Sequence, residues 1–176
     1  LYTDPAWSNF TKDMTLPVME DWMEDSYWDY VDVFKANDIS SCGRAPAVCI
    51  KILKDVPAGS SVSACFLLPV AKDASLEYVS ADICAPGKNV SAKIRINVDH
   101  LFLGKYGKGN EKNESTPDWI HVNVTELSDG LLEVERYNEN YVPVYVDINK
   151  SDKSSLKAGD CVYIDNLSMG SDAYNN

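Results

Sequence analysis

The sequence has no basic cluster, no long apolar run and no closely spaced pair of cysteines, and each absence excludes a class of function. Its 176 residues carry 16 Lys and Arg against 27 Asp and Glu, for a formal net charge of -11. An acidic surface repels phosphate, so we expect neither nucleic acid nor an anionic membrane as a partner. No apolar run approaches the roughly 20 residues of a membrane-spanning helix.

The cysteine pattern argues against a zinc site and against a thioredoxin-type redox motif, because no C-x-x-C pair occurs. Cys49 and Cys65 each lie within a strand-like run, where a free cysteine behaves as a small apolar residue. We therefore expect most thiols to be free rather than joined in a disulfide framework. The five cysteines are Cys42, Cys49, Cys65, Cys84 and Cys161.

Helical periodicity is also missing, since no window of 12 or more residues keeps a 3.6-residue apolar period. Short alternating runs separated by turn residues take its place, with a first strand expected at 27–35 and a polar loop at 104–117. About nine such runs occur, at the spacing of a β-sandwich. We predict one all-β domain over 1–176, with an N-terminal extension at 1–18 and a frayed tail at 171–176. Neither a starting Met nor a signal peptide is visible, and we expect a segment processed or excised from a longer protein.

Several short motifs follow one another in a recognisable order. Met19-Glu20-Asp21 comes first, and a glycine-led run from Cys42 leads into the apolar strand that ends at Ile52. Trp119 opens a later strand, and Tyr163-Ile164-Asp165-Asn166-Leu167 closes the pattern. In this order, over 19–169, the motifs resemble jelly-roll carbohydrate-binding modules of the family 4/9/16/22 group. The resemblance implies an antiparallel jelly-roll β-sandwich with little helix that binds polysaccharide without cleaving it.

Candidate ligand-binding residues come from strand alternation combined with this resemblance. If Val144, Val146 and Ile148 face the core, Tyr145 and Asp147 face away from it, and the same reasoning directs Arg95 and Asn97 outward. In the resembled modules these outward positions line a concave cleft, with aromatic faces for sugar rings and polar groups for hydroxyls. An ordinary solvated face is the alternative. The remaining candidates are Trp28 or Tyr30 at one rim and Tyr106 folding over from the long loop.

A structural calcium ion is the one cofactor that the resemblance implies. Glu20 and Asp165 match the early acid and the final-strand acid that hold Ca²⁺ in the resembled modules. In the alternative interpretation, Asp165 accepts hydrogen bonds from backbone N–H groups.

No catalytic residues are predicted. The acidic run at 20–25 lacks the alternation that would aim two carboxylates into a cleft, and His100 and His121 stand far apart in sequence without a nucleophile motif.

We therefore expect a secreted, monomeric, non-catalytic module of a larger protein. Its ligand would be a soluble or amorphous plant cell-wall polysaccharide such as xylan, β-glucan or mannan, and it would target an attached glycoside hydrolase or cellulosomal subunit. A protein-interaction or structural sandwich domain of a surface or scaffold protein is the main alternative. A small jelly-roll glycoside hydrolase is the second.

Overall fold

Short antiparallel strands make up nearly all the regular structure of the described residues. The computed structural model describes residues 2–4, 6–37, 45–71, 78–86, 89–98, 105–106, 112–115, 119–124, 136–150 and 156–170. In chain order the strands are β1 (Tyr2–Thr3), β2 (Thr15–Leu16), β3 (Val31–Ala36), β4 (Ala47–Ile52), β5 (Ser61–Pro69), β6 (Tyr78–Cys84), β7 (Asn89–Arg95), β8 (Asn97–Val98), β9 (Lys105–Tyr106), β10 (Lys112–Ser115), β11 (Ile120–Val124), β12 (Tyr141–Lys150) and β13 (Cys161–Gly170).

The strands form two main sheets that pack as a sandwich. The first sheet has the order β11-β6-β13-β4-β3, with β1 added to β13, and the second has the order β10-β7-β12-β5-β2. A separate ribbon joins β8 to β9. This architecture confirms the predicted antiparallel β-sandwich.

The core lies between the two sheets and follows the predicted alternation. In β12, Val144, Val146 and Ile148 are fully buried, while Tyr145 and Asp147 between them are only half-buried. Each large apolar side chain removed from water in this way contributes about 1.5–3 kcal/mol. In the first sheet, β4 and β13 direct Val48, Ile50, Val162 and Ile164 to the facing side of the core.

Helix is confined to single turns among the described residues, at Lys12–Met14 and at α1 (Tyr27–Tyr30). None of the described helices has the length and apolar character needed to cross a membrane. The predicted strand at 27–35 is therefore wrong in its first part. Tyr27 and Tyr30 are three residues apart, so one helical turn directs both into the core.

The N-terminal segment is part of the sandwich rather than an extension. β1 pairs with β13 in the first sheet, and β2 pairs with β5 in the second. Between them Trp7, only 1% exposed, packs its ring 6.2 Å from that of Phe66. The polar loop expected at 104–117 is also wrong in part, because β10 pairs with β7 and widens the second sheet.

The cysteines divide into two groups. Cys49, Cys65 and Cys161 are not disulfide-bonded; Cys49 and Cys65 are buried, as predicted, and Cys161 is half-buried. Burial raises the pKa of Cys49 well above its ordinary value, and the neighbouring Cys161 raises it further. Cys84 is disulfide-bonded, so one bridge accompanies the thiols, which we expected to be mostly free.

Candidate functional site

Polar and aromatic side chains meet on the outer face of the second sheet, where β7, β12 and β5 lie side by side. Tyr145 stands directly opposite Arg95 on β7, and Asp147 stands opposite Ser63 on β5. Directly opposite residues share a face of a sheet, with Cβ atoms about 4.5–5.5 Å apart. Strand pairing therefore gathers these four side chains without the help of a loop.

Arg95 connects two members of this group. Its Nε donates to Asp147 Oδ2 at 2.7 Å, and its guanidinium carbon lies 4.1 Å from the centre of the Tyr145 ring. The side chains of Arg95 and Asp147 are 15% and 21% exposed, so water screens this ion pair less than one on the open surface. One face of Tyr145 is thus occupied by Arg95, and the three side chains hold each other in place.

Ser63 connects the ion pair to Glu20. The Ser63 hydroxyl lies 2.5 Å from Asp147 Oδ1 and 2.9 Å from Glu20 Oε1. A hydroxyl carries one proton and can donate to only one of these oxygens at a time. The pair of carboxylates consequently retains acceptor capacity that a hydroxyl-bearing ligand can use.

Glu20 reaches Ser63 because the chain after β2 covers the edge of β5 with side chains instead of a strand. Trp22 Nε1 donates to the Ser61 carbonyl at 2.9 Å, and the Tyr27 hydroxyl donates to the Ser63 carbonyl at 2.6 Å. Burial raises the pKa of Tyr27 well above its usual value, with Cys65 and then Glu20 adding to the effect. This buried phenol and indole fix the segment that carries Glu20.

The cluster lines a depression of about 220 Å³. A second depression of about 150 Å³ adjoins it, and Asn149 and Ser91 extend the polar lining there. Lys93 borders both depressions. Two cations, Lys93 and Arg95, and two carboxylates, Glu20 and Asp147, therefore face the larger depression. The larger depression is lined by Glu20, Ser61, Ser63, Lys93, Arg95 and Asp147.

Of the predicted ligand-binding residues, the structure brings together Tyr145, Asp147 and Arg95. Asn97 and Tyr106 are backbone partners in the β8–β9 ribbon, and their side chains lie outside the described part of the chain. Their roles remain predictions.

The expected exposure is wrong for Tyr30, and Trp28 is half-buried. Tyr30 is 8% exposed, and its ring centre lies 5.1 Å from that of Trp22. Trp28 packs partly buried against the core, with Lys12 Nζ 4.4 Å from its ring centre. Both rings belong to the helical turn rather than to an alternating strand. Tyr30 is too deeply buried to form a rim, and the place of Trp28 at a rim stays a prediction.

The two acids of the expected calcium site belong to different parts of the sandwich. Glu20 contacts Ser63 in the second sheet, whereas Asp165 stands opposite Asp82 in the first. Within the described ranges, no group of three or more His, Cys, Asp or Glu side chains is arranged to hold a metal ion. Calcium binding stays a prediction, without support from this pair.

Sequence reasoning missed Ser63 and Lys93 and gave Glu20 a different role. Ser63 alternates with the core residues Val62 and Ala64, and Lys93 alternates with Ala92 and Ile94, so strand alternation already places both outward. Their contribution depends on the strand order, which brings β5 and β7 to either side of β12.

Comparison with protein-family models and with curated proteins finds no match to this chain. Among solved structures, a family 61 carbohydrate-binding module in complex with β-1,4-galactotriose is 15% identical, with a TM-score of 0.53, over 94% of this chain and 93% of that one. A family 28 module specific for non-crystalline cellulose is 12% identical, with a TM-score of 0.51, over 95% and 93%. A xylan-binding domain of family 22 is 14% identical, with a TM-score of 0.43, over 80% and 82%.

The similarities to the family 61 and family 28 modules establish the fold. The first two span nearly the whole of both chains, and their sequence identity is low. The chain has the jelly-roll β-sandwich fold of carbohydrate-binding modules, as the order of its sequence motifs predicts.

Proposed function

We propose that this protein is a non-catalytic module that binds single chains of a plant cell-wall polysaccharide on the outer face of the second sheet. The observation that carries the proposal is the fixed cluster in which Arg95, Asp147, Ser63 and Glu20 line a depression and Tyr145 stacks on Arg95. Sugar recognition needs an aromatic surface beside planar polar groups that bond hydroxyls, and this cluster supplies both.

The charges of the depression favour a neutral ligand. Lys93 and Arg95 balance Glu20 and Asp147, although the chain as a whole carries a net charge of -11. A balanced polar site in an acidic protein suits a ligand with hydroxyl groups and no charge. The ligands of the structural neighbours, β-1,4-galactotriose and non-crystalline cellulose, are uncharged and hydroxyl-rich. Galactan therefore joins xylan, β-glucan and mannan as a candidate.

The disulfide at Cys84 supports an extracellular location, because such bonds persist in oxidising compartments. In this proposal the module targets an attached glycoside hydrolase or cellulosomal subunit to its substrate.

Affinity gel electrophoresis against soluble xylan, mixed-linkage β-glucan, mannan and galactan tests the proposal. We expect at least one polysaccharide to retard the parent protein, and Tyr145→Ala and Arg95→Ala to remove the retardation. Tyr163→Ala is the matched control, since Tyr163 is a half-buried tyrosine of the first sheet. If no polysaccharide retards the parent protein, the result favours the alternative of a protein-interaction or structural sandwich domain.

One observation favours a second candidate, a small glycoside hydrolase. Glu20 Oε1 and Asp147 Oδ1 contact the same hydroxyl oxygen at 2.9 Å and 2.5 Å, so they lie within about 5.4 Å of each other. Retaining glycosidases hold two carboxyl groups at about 5–5.5 Å. Here Asp147 is also bound by Arg95, which suits a fixed hydrogen-bond acceptor better than a nucleophile. We expect the protein to release no reducing ends from any polysaccharide that retards it. If it does release reducing ends, and Glu20→Gln abolishes this release, the protein is a glycoside hydrolase.

A further inference from the structure

Two cysteines lie in neighbouring strands on the outer face of the first sheet. Cys49 of β4 alternates with the core residues Val48 and Ile50, and Cys161 is the first residue of β13. Tyr163 is the register partner of Cys49, and Cys161 precedes Tyr163 by two residues. Residues two apart in a strand point to the same face, so the two cysteines are diagonal neighbours on one surface.

The backbone hydrogen bonds of the ladder bring this diagonal close. The Ile52 N–H donates to the Asp160 carbonyl at 2.9 Å, so these two residues occupy a hydrogen-bonded position. Hydrogen-bonded and non-hydrogen-bonded positions alternate along an antiparallel ladder, which places Cys49 and Tyr163 in a non-hydrogen-bonded pair. Side chains approach more closely at such pairs, and the right-handed twist of a sheet draws one of the two diagonals together.

The two thiols interact but differ in their access to solvent. Cys49 is 1% exposed, whereas Cys161 is half-buried and its Sγ donates to the Gly159 carbonyl at 3.8 Å. Burial raises the pKa of the Cys49 thiol well above its ordinary value, and the charge of Cys161 and a hydrogen bond with its side chain raise it further. An accessible thiol beside a buried one suits a reaction in which the first meets an oxidant and the second completes a disulfide.

We infer that Cys161 and Cys49 are a site of reversible oxidation, at which a disulfide joins β13 to β4. Closure requires the two Cβ atoms to come within about 3.5–4.5 Å. Cys161 is the residue that can move, because it begins β13 directly after an exposed turn in which the Asp160 N–H donates to the Lys157 carbonyl. This inference does not depend on the proposed function.

The oxidant is a low-molecular-weight disulfide such as oxidised glutathione. The Cys161 thiolate attacks one of its sulfurs, so that a mixed disulfide forms and the first glutathione leaves. Cys49 then attacks Cys161 Sγ and displaces the second glutathione. The two departing glutathione thiolates take up the protons that the cysteines lose. Two protein thiols are thereby oxidised by two electrons in total, and the oxidant is reduced to two thiols.

The disulfide would stabilise the sandwich. The strands β5 to β12 all lie between the two cysteines in sequence, and a cross-link over so long a loop restricts the unfolded chain. We expect oxidation to raise the melting temperature of the parent protein by about 5–10 °C. The cysteines lie in the first sheet and the candidate site in the second, so polysaccharide retardation should be the same before and after oxidation.

The test incubates the full chain with oxidised glutathione and follows its intact mass and the number of thiols that react in denaturant. The parent protein should lose two thiols without retaining glutathione. Cys49→Ala should stop after the first step and carry one glutathione on Cys161, whereas Cys161→Ala should gain neither a disulfide nor glutathione. Cys65→Ala is the matched control, because Cys65 is equally buried but belongs to the second sheet, and it should behave as the parent does.

Peptide mapping of the oxidised parent without reduction identifies the bond directly, even if a variant fails to fold. Linked peptides that contain Cys49 and Cys161 would support the inference. A bond between Cys161 and Cys84 would overturn it, because the existing disulfide would then have exchanged instead. An unchanged number of thiols, glutathione retained on the parent, or an oxidised parent that melts no higher than the untreated one would overturn it as well.

Discussion

Arg95 shows how a single residue organises the candidate site. Its pair with Asp147 is mostly shielded from water, whereas the Lys54–Asp25 pair leaves both side chains about half exposed, at 50% and 56%. Exposed pairs contribute about 0.2–1 kcal/mol, and charge-assisted bonds away from water contribute more.

A double-mutant cycle on Arg95→Ala and Asp147→Ala should accordingly give a coupling energy of about 1–3 kcal/mol. The same cycle on Lys54→Ala and Asp25→Ala should give a smaller coupling energy, because water screens this exposed pair. Urea denaturation of the single and double variants measures both. Equal coupling energies in the two cycles would show that the Arg95–Asp147 pair contributes no more to stability than an exposed ion pair.

Two buried tyrosines make stability fall at high pH. Burial, and then the charge of Asp4, raise the pKa of Tyr2 to about 12, and burial raises the pKa of Tyr27 further. The unfolded chain loses these protons near pH 10, while the folded chain retains them, so the folded state binds more protons above that pH. Stability should be unaffected by these groups below pH 10 and should decrease as pH rises through 12.

Melting curves across this interval, followed by the absorbance of ionised tyrosine, provide the measurement. We expect the melting temperature to fall as pH increases, with a smaller fall in Tyr2→Phe. A melting temperature that stays constant from pH 10 to 12 would contradict the assignment.

At the scale of secondary structure elements, the segment between β2 and β3 covers the part of the β5 edge that β2 does not pair with. Two side chains, those of Trp22 and Tyr27, bond backbone carbonyls of β5 that would otherwise be buried without a donor. A buried carbonyl without a partner costs about 1–3 kcal/mol.

Tyr27→Phe should therefore lower the free energy of unfolding by about 1–3 kcal/mol, because it removes the donor to Ser63 and keeps the ring. Tyr137→Phe, at an exposed position, should change it by less than about 0.5 kcal/mol. Denaturant titrations of both variants give the comparison, and similar values for the two would show that the edge of β5 does not need this bond.

These elements also show how far sequence reasoning reaches. Alternation is local, so it correctly predicts β4, β5, β12 and β13 and the outward direction of Tyr145, Asp147 and Arg95. The helical turn at Tyr27 and the position of Glu20 depend on which sheet edge the N-terminal segment covers. Contacts between residues distant in sequence decide that, and a single sequence does not display them.

For the molecule as a whole, the excess of acidic residues opposes compaction. The 176 residues carry a net charge of -11, and folding brings these charges closer together, so their repulsion lowers the stability of the folded state. Salt screens exposed charges more than about 10 Å apart at 0.1 M ionic strength.

Adding sodium chloride should raise the melting temperature, while the affinity for a neutral glycan should hardly change, because the charges in the depression balance. Thermal scans and calorimetry at low and moderate ionic strength test both statements. A steep loss of affinity with salt would point to a charged ligand.

The pairing of β1 with β13 determines when the sandwich can be completed. Tyr2 and Met169 are register partners although 166 residues separate them in sequence. Synthesis proceeds from the N-terminal side, so β1 has no strand to pair with until β13 has been synthesised. Such distant pairing slows folding, and β1 is synthesised long before the strand with which it pairs.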